Sequence, residues 1–376
     1  MRFGTLCLLA MPLISAASGT YLIQLLPNHN ISQYIDEHPS IRTKVLRTYS
    51  IGKFRAIAVN CDDSFVSTVK VEPIVENVSP DITLSASEMV TQSGAPRHLA
   101  RVSQREKLGS PPFEFKYDNS SVQVDAYVLD TGIYKEHPDF GGRAIVGADF
   151  TGEGFGDVNG HGTHVAGLIG SATYGAARNA QLIEVKVLGS TGGGSLSNVI
   201  AGLDYAVQSQ TGRNVSSVLN LSLGSVYNSI LNSAIEAVVE AGLAVVVAAG
   251  NDGLPACVFS PASAPQALTV GAIDDADDSI APFSNWGSCV DVFASGVQVE
   301  SLYNSGNGTI AYSGTSMASP IAAGVVAYFM GLGDTPTAAV DRVKSDATRG
   351  SIGWLQIIFR PFTPNKIAYN GGGLPL

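Results

Sequence analysis

Val122-Gln123-Val124-Asp125-Ala126-Tyr127-Val128-Leu129, followed at once by Asp130-Thr131-Gly132, is the stretch on which the fold turns. It is short, rich in branched and aromatic residues, and stopped by a carboxylate in a glycine turn. A run of this kind reads as a strand buried on both faces. Comparable runs recur at Leu182–Val187, Val215–Leu221 and Leu243–Ala248. Helical stretches lie between them, at His161–Ser171, Leu196–Ser209 and Ser229–Ala241. Strands alternating with helices predict an α/β domain, with a mainly parallel sheet and helices on both faces. Ser316–Leu332 is small or apolar nearly all round, which predicts a buried helix.

Outward from this core, the chain predicts three segments. Residues 1–19 carry Arg2, the apolar run Leu6–Ile14 and the small residues Ser15-Ala16-Ala17, the pattern of a cleaved secretory signal. Residues 20–88 predict a small α+β unit. Its strands lie near Tyr21–Leu26 and Phe54–Val59, a helix covers Ile31–Val45, and a further element lies around Phe65–Val71. Residues 77–95 form a polar linker suited to proteolysis. The main domain occupies 89–376. At 376 residues, 45% apolar and 14% charged, the chain can bury a sizeable core and is not a disordered protein. The first 87 residues carry seven charges of each sign, so the net charge of −10 falls on the remainder. That balance argues against nucleic acid or an anionic membrane as partner. Of the four cysteines, Cys7 lies in the leader and Cys61 in the small unit. Cys257 and Cys289 remain, as a bridge or as two buried thiols, and secretion favours the bridge.

Three glycine-rich turns carry the chemistry: Asp130-Thr131-Gly132, His161-Gly162-Thr163-His164, and Gly314-Thr315-Ser316-Met317-Ala318. A carboxylate, an imidazole and a hydroxyl are what nucleophilic acyl transfer requires. Asp130 ends a core strand, on the rim where α/β sheets bind ligands. His161 opens a helix, and Ser316 sits at the N-terminus of the buried one, where amides favour developing negative charge. Asn251 follows another strand end, and its amide can donate to an oxyanion together with the Ser316 N–H. Taken singly, Asp130 reads as an Asx turn and Ser316 as a helix cap. Together they form one constellation.

With these runs in view, the chain resembles the subtilisin-like serine proteases, most closely their secreted fungal proteinase-K-like branch. The likeness runs from about Ala95 to about Gly333. Beyond the three turns it rests on Ala180–Leu188, Leu219-Asn220-Leu221-Ser222-Leu223-Gly224, Ala248-Ala249-Gly250-Asn251 and Phe283–Ser288. The resemblance implies a triad of Asp130, His161 and Ser316, with Asn251 as the oxyanion side chain. It implies that Gly192, Gly193 and Gly194 clamp a peptide as an added strand against Ser222, Leu223 and Gly224. Ala248, Ala249 and Gly250 would line a roomy apolar pocket for the residue before the cut, and Leu196 a second pocket. The activity implied is a secreted, monomeric endopeptidase of broad specificity acting on protein substrates. It would have no catalytic cofactor, and residues 20–76 would be its own inhibitory propeptide, cut off between Leu84 and Val90. Structural calcium is implied at Asp291 with the carbonyls of Pro265 and Ala267. At a second calcium position of the family Ser351 stands where an acid would be needed. Ile321 and the run Gly353–Arg360 depart from the family pattern.

Other features read more plainly. His164 predicts a packed structural histidine, and Asp274, Asp275, Asp277 and Asp278 a solvated loop. Asn119, Asn214 and Asn307 are sequons in polar loops suited to glycan, whereas Asn220 ends a core strand. An esterase or lipase would need the order Ser, Asp, His and a Gly-x-Ser-x-Gly elbow, and this chain has neither arrangement at Ser316. A non-catalytic binding protein on the same fold finds support only in the unusual 353–360 run.

Overall fold

The computed structural model describes residues 18–81, 89–119, 121–211, 213 and 215–372. Most of the expected leader, most of the expected cleavage window and the Asn214 sequon lie outside them. The chain divides into two compact units, Met1–Ser85 and Ala86–Leu376.

The first unit is a four-stranded antiparallel sheet carrying two helices. In chain order it comprises β1 (Ser18–Leu25), α1 (Ile31–Glu37), β2 (Val45–Ile51), β3 (Phe54–Asp62), α2 (Asp63–Val69) and β4 (Val75–Pro80). The spatial order is β2-β3-β1-β4. Ile23, Leu25, Ile57 and Val59 from the central strands close a core with Tyr34, Ile41, Val66 and Val69. The helix expected over Ile31–Val45 stops at Glu37, because Pro39 disfavours helical backbone at His38. The residues after it form turns that lead into β2 at Val45. The stretch expected to begin the linker instead forms β4, paired with β1. Cys61 is buried here.

The second unit opens with β5 (Met89–Ser93), α3 (Arg97–Val102) and β6 (Glu114–Asp118), β5 pairing antiparallel with β6. Then come β7 (Asp125–Asp130), β8 (Ala144–Asp149), α4 (His161–Gly170), β9 (Gln181–Lys186), α5 (Leu196–Gln210) and β10 (Ser217–Leu221). They are followed by β11 (Ser225–Val226), α6 (Ser229–Glu240), β12 (Ala244–Ala248), β13 (Phe259–Ser260), β14 (Leu268–Asp274) and β15 (Ser279–Ile280). The end of the chain contributes β16 (Val292–Ser295), β17 (Val299–Leu302), β18 (Thr309–Tyr312), α7 (Thr315–Gly331), α8 (Pro336–Asp346), β19 (Thr348–Arg349), α9 (Trp354–Ile358) and β20 (Lys366–Ile367).

The main sheet runs β19-β20-β16-β14-β12-β10-β7-β9-β8, with β15 against β14. From β8 to β16 every neighbouring pair is parallel, and only β15 and β19 run antiparallel to their partners. One apolar layer lies between the sheet and α4, α7 and α8, the other between the sheet and α5 and α6. The expected α/β architecture is the one observed. Both faces are covered, which is why β7, β10 and β12 are buried at every position. α7 is almost wholly buried, as its uniformly small and apolar sequence predicts.

The aspartate run is a correction. Asp278 and Asp275 are buried, not solvated. Arg101, itself fully buried, holds Asp278 through Nε at 2.6 Å and Nη2 at 3.1 Å, while Arg97 pairs with Asp275. Both arginines come from α3, about 180 residues earlier, so the pairing is invisible to a local reading. α9, in the unusual 353–360 run, is anchored by Gln356 Oε1, which accepts from the Ile280 N–H at 2.6 Å. Its other face leaves Trp354, Ile358 and Phe359 exposed.

Candidate active site

Asp130 is the last residue of β7 and is fully buried. Its Oδ1 accepts from His161 Nδ1 at 2.7 Å and from the Thr131 N–H at 2.8 Å. His161 is the first residue of α4. Burial lowers the pKa of its imidazolium, but the charge and hydrogen bond of Asp130 outweigh that, and the net pKa lies above the ordinary 6.5. Nδ1 is therefore the protonated nitrogen of the neutral ring, and Nε2 carries the lone pair.

The two turns meet through glycines. A Cβ on Gly162 would lie 2.1 Å from the Gly132 carbonyl oxygen, and one on Gly132 would lie 2.3 Å from that of Gly156. Backbone can stack this closely only without side chains. Asp157 fastens the same corner. Its Oδ1 accepts from Thr131 Oγ1 (2.9 Å) and from the N–H groups of Asn159 and Gly160 (3.0 and 2.8 Å). Its Oδ2 accepts from the N–H and hydroxyl of Thr163, so one carboxylate caps α4 and ties it to the β7 turn. The sequence reading passed over Asp157, although an Asp just ahead of a helix start is a capping signal.

Ser316 is the second residue of α7, and its N–H is among those left without an intrahelical acceptor. Its hydroxyl donates to the Ser222 carbonyl at 3.2 Å and makes no hydrogen bond to His161. Asn251, just beyond β12, presents its Oδ1 to the Thr315 N–H at 2.8 Å and hydroxyl at 2.9 Å. Thr315 Oγ1 in turn accepts from the Gly250 N–H at 3.1 Å. Two donors on Oδ1 fix the amide's orientation and leave Nδ2 as the donor available to the site. Behind these lies a buried chain: Ser319 Oγ donates to Asn220 Oδ1, Asn220 Nδ2 to Ser222 Oγ, and Ser222 Oγ to the Ser316 carbonyl.

Two cavities flank the constellation. One of about 460 Å³ is lined by His161, Gly192–Gly194, Leu196 and Ser222–Gly224. The other, about 500 Å³, is lined by Ser222–Gly224, Ala248–Asn251 and Ser316, and shares the Ser222–Ser225 edge. The structure thus places His161 with the expected peptide-binding glycines in one cavity and Ser316 with Asn251 in the other, the two meeting along Ser222–Ser225. The second cavity is not purely uncharged as expected, since Asp252 also lines it.

A family model described as "Subtilase family" matches residues 126–345. The chain belongs to the subtilases. It is 40% identical over 409 residues to the "Subtilase-type proteinase RRT12" of Saccharomyces cerevisiae, covering 96% of this chain and 82% of that one. It is 41% identical to the "Subtilisin-like serine protease AsES" of Sarocladium strictum, covering 85% and 81%. Among solved structures, a cold-adapted subtilisin-like serine proteinase superimposes with a TM-score of 0.68 at 39% identity, covering 74% of this chain and 99% of that one. This subtilase is accordingly a serine endopeptidase, and enzymes of its family need no catalytic cofactor.

Away from the cleft, Cys257 and Cys289 are joined by a disulfide, with Cα atoms 5.3 Å apart. His164 is buried, with Nε2 facing the carbonyls of Val299 and Ile310 and its ring against Tyr312. Burial pushes its pKa down to about 3, so it is a neutral structural residue. Asp291 Oδ2 accepts from the Thr269 N–H at 2.9 Å, close to the Pro265 and Ala267 turn, while Oδ1 faces Lys344 Nζ at 3.8 Å. Asn119 and Asn307 are exposed.

Proposed function

We propose that this serine endopeptidase works through Asp130, His161 and Ser316, with Asn251 Nδ2 and the Ser316 N–H holding the oxyanion. The observation that carries the assignment is the 2.7 Å bond from His161 Nδ1 to buried Asp130, which leaves Nε2 basic on the cleft side. His161 takes the Ser316 proton as the hydroxyl attacks the peptide carbonyl. It then returns that proton to the leaving amine. The hydroxyl resting on the Ser222 carbonyl fits this reading. A peptide strand laid along Ser222–Gly224 donates to that carbonyl and releases the hydroxyl toward His161. Gly192–Gly194 close over the strand from the other side, with Leu196 and Ala248–Gly250 lining side-chain pockets. Recognition through main-chain groups and roomy pockets supports broad specificity. Fluorophosphonate labelling of Ser316 and its loss in His161→Ala test the assignment.

We further propose that the chain is made as a secreted zymogen. Residues 1–19 act as a leader, 20–88 as an intramolecular inhibitor and 89–376 as the peptidase, which frees itself by its own activity and acts as a monomer. The leader-like N-terminus, the disulfide and the separate small unit support this reading. Asn119, Asn214 and Asn307 are the proposed glycan acceptors. Calcium would be held by Asp291 with the carbonyls of Pro265 and Ala267. Hard oxygens beside a carboxylate suit that ion, although it must displace Lys344.

A further inference from the structure

Glu184 and Lys186 are fully or almost fully buried, lie two residues apart on one face of β9, and belong to no part of the machinery above. Both converge on the backbone of one residue. Glu184 Oε1 accepts the Gly156 N–H at 2.6 Å, and Lys186 Nζ donates to the Gly156 carbonyl at 3.0 Å. Gly156 lies at φ +94°, in the 151–160 loop that delivers His161, and its carbonyl rests against Gly132 in the Asp130 turn. The next residue is Asp157, the cap of α4.

This loop has little stiffness of its own. Gly152, Gly154, Gly156 and Gly160 all adopt positive φ, and each glycine adds freedom that folding must remove. Phe155 and Val158 are exposed and give it no core. Its position is set by polar ties, those of Asp157 to Thr131, Gly160 and Thr163 and those of Glu184 and Lys186 to Gly156. The Gly156 ties are costly. Glu184 Oε2 is buried without a hydrogen-bond partner, and burial pushes the carboxyl pKa up. Buried charged groups of this kind are a poor source of stability, because taking each out of water is expensive.

We infer that Glu184 and Lys186 are positioning residues for catalysis: by gripping the N–H and the carbonyl of Gly156 they hold Asp157 and the start of α4 so that His161 meets Asp130 in register. The inference rests on the reading of His161 as the base. It applies to the full chain as produced.

The test compares Glu184→Leu, Glu184→Gln and Lys186→Met with the parent, reading kcat, KM, melting temperature and the downfield proton resonance of His161 Nδ1–H. Glu184→Leu should lower kcat roughly 10-fold or more with KM within about 2-fold, and shift or broaden that resonance, at a temperature well below its melting temperature. Glu184→Gln keeps an acceptor for the Gly156 N–H and should recover most of the rate and the resonance. Lys186→Met should repeat the loss in milder form. Parental kcat and resonance in Glu184→Leu would overturn the inference, as would a rate loss that follows the melting temperature and is not rescued by Gln. If Glu184→Leu does not accumulate, parental kcat in Lys186→Met decides against it. His161→Ala with parental activity would instead refute the base assignment itself.

Discussion

At the scale of single residues, the Asp130–His161 pair makes the sharpest prediction. His161 must be neutral to accept a proton, and its pKa is raised above 6.5. The acidic limb of kcat/KM should therefore have an apparent pKa above 6.5, activity rising with pH through it. Asp130→Asn removes the charge that raises it, so the limb should move down while kcat falls roughly 10⁴-fold. A pH–rate profile with Asp130→Asn in parallel checks both. For the oxyanion, Asn251→Ala should lower turnover about 10²–10³-fold with KM little changed. Thr315→Val, which removes the hydroxyl fixing the Asn251 amide, should give a smaller loss of the same kind. The turns that carry Asp130, His161, Ser316 and Asn251 were legible in the sequence because each has its own signature. Thr315, Asp157 and Glu184 were not singled out, because they act through backbone groups or through side chains that meet only in the folded chain.

At the scale of elements, α3 is joined to the turn between β14 and β15 by Arg101 and Asp278, an ion pair with both partners fully buried. Arg101→Met leaves Asp278 as an uncompensated buried carboxylate and should cost about 3–5 kcal/mol of stability, read from urea unfolding of the Ser316→Ala protein. Asp278→Leu in the same background restores charge balance and should recover part of that loss. In the central sheet β7, β9, β10 and β12, with α4 to α7, were legible because burial on both faces leaves unbroken apolar runs, whereas β14 and β16, though buried, were not picked out. Nor were the edges. β2 and β4 are half-exposed and carry polar residues, and nothing in their periodicity marks them as strands. α9 exposes Trp354, Ile358 and Phe359, and Phe359→Ser should raise solubility without altering kcat/KM.

At the scale of the whole molecule, Ser316→Ala should remain an unprocessed precursor carrying its full propeptide when secreted from a protease-free host, which mass spectrometry reads directly. Within the first unit, His38 bonds Glu72 at 2.9 Å and the Tyr34 carbonyl at 2.8 Å. Burial opposes its charge, but these acceptors win and raise the pKa. The stabilisation is fully present below the unfolded value near 6.5 and fades as pH rises through the folded one. In the Ser316→Ala precursor the first unit should unfold at lower urea at pH 8 than at pH 6, and His38→Gln should flatten that difference.

The Cys257–Cys289 link reaches further than its own loop. Asn285, four residues before Cys289, takes the N–H groups of Asp252 and Leu254 on its Oδ1 and gives its amide to the Ala249 carbonyl. The segment bearing Asn251 therefore hangs from a loop whose closure depends on ambient oxidant. Made in a thiol-rich cytosol, the enzyme should turn over more slowly and blur its choice among side chains. Producing it in both environments and profiling cleavage sites would show the difference.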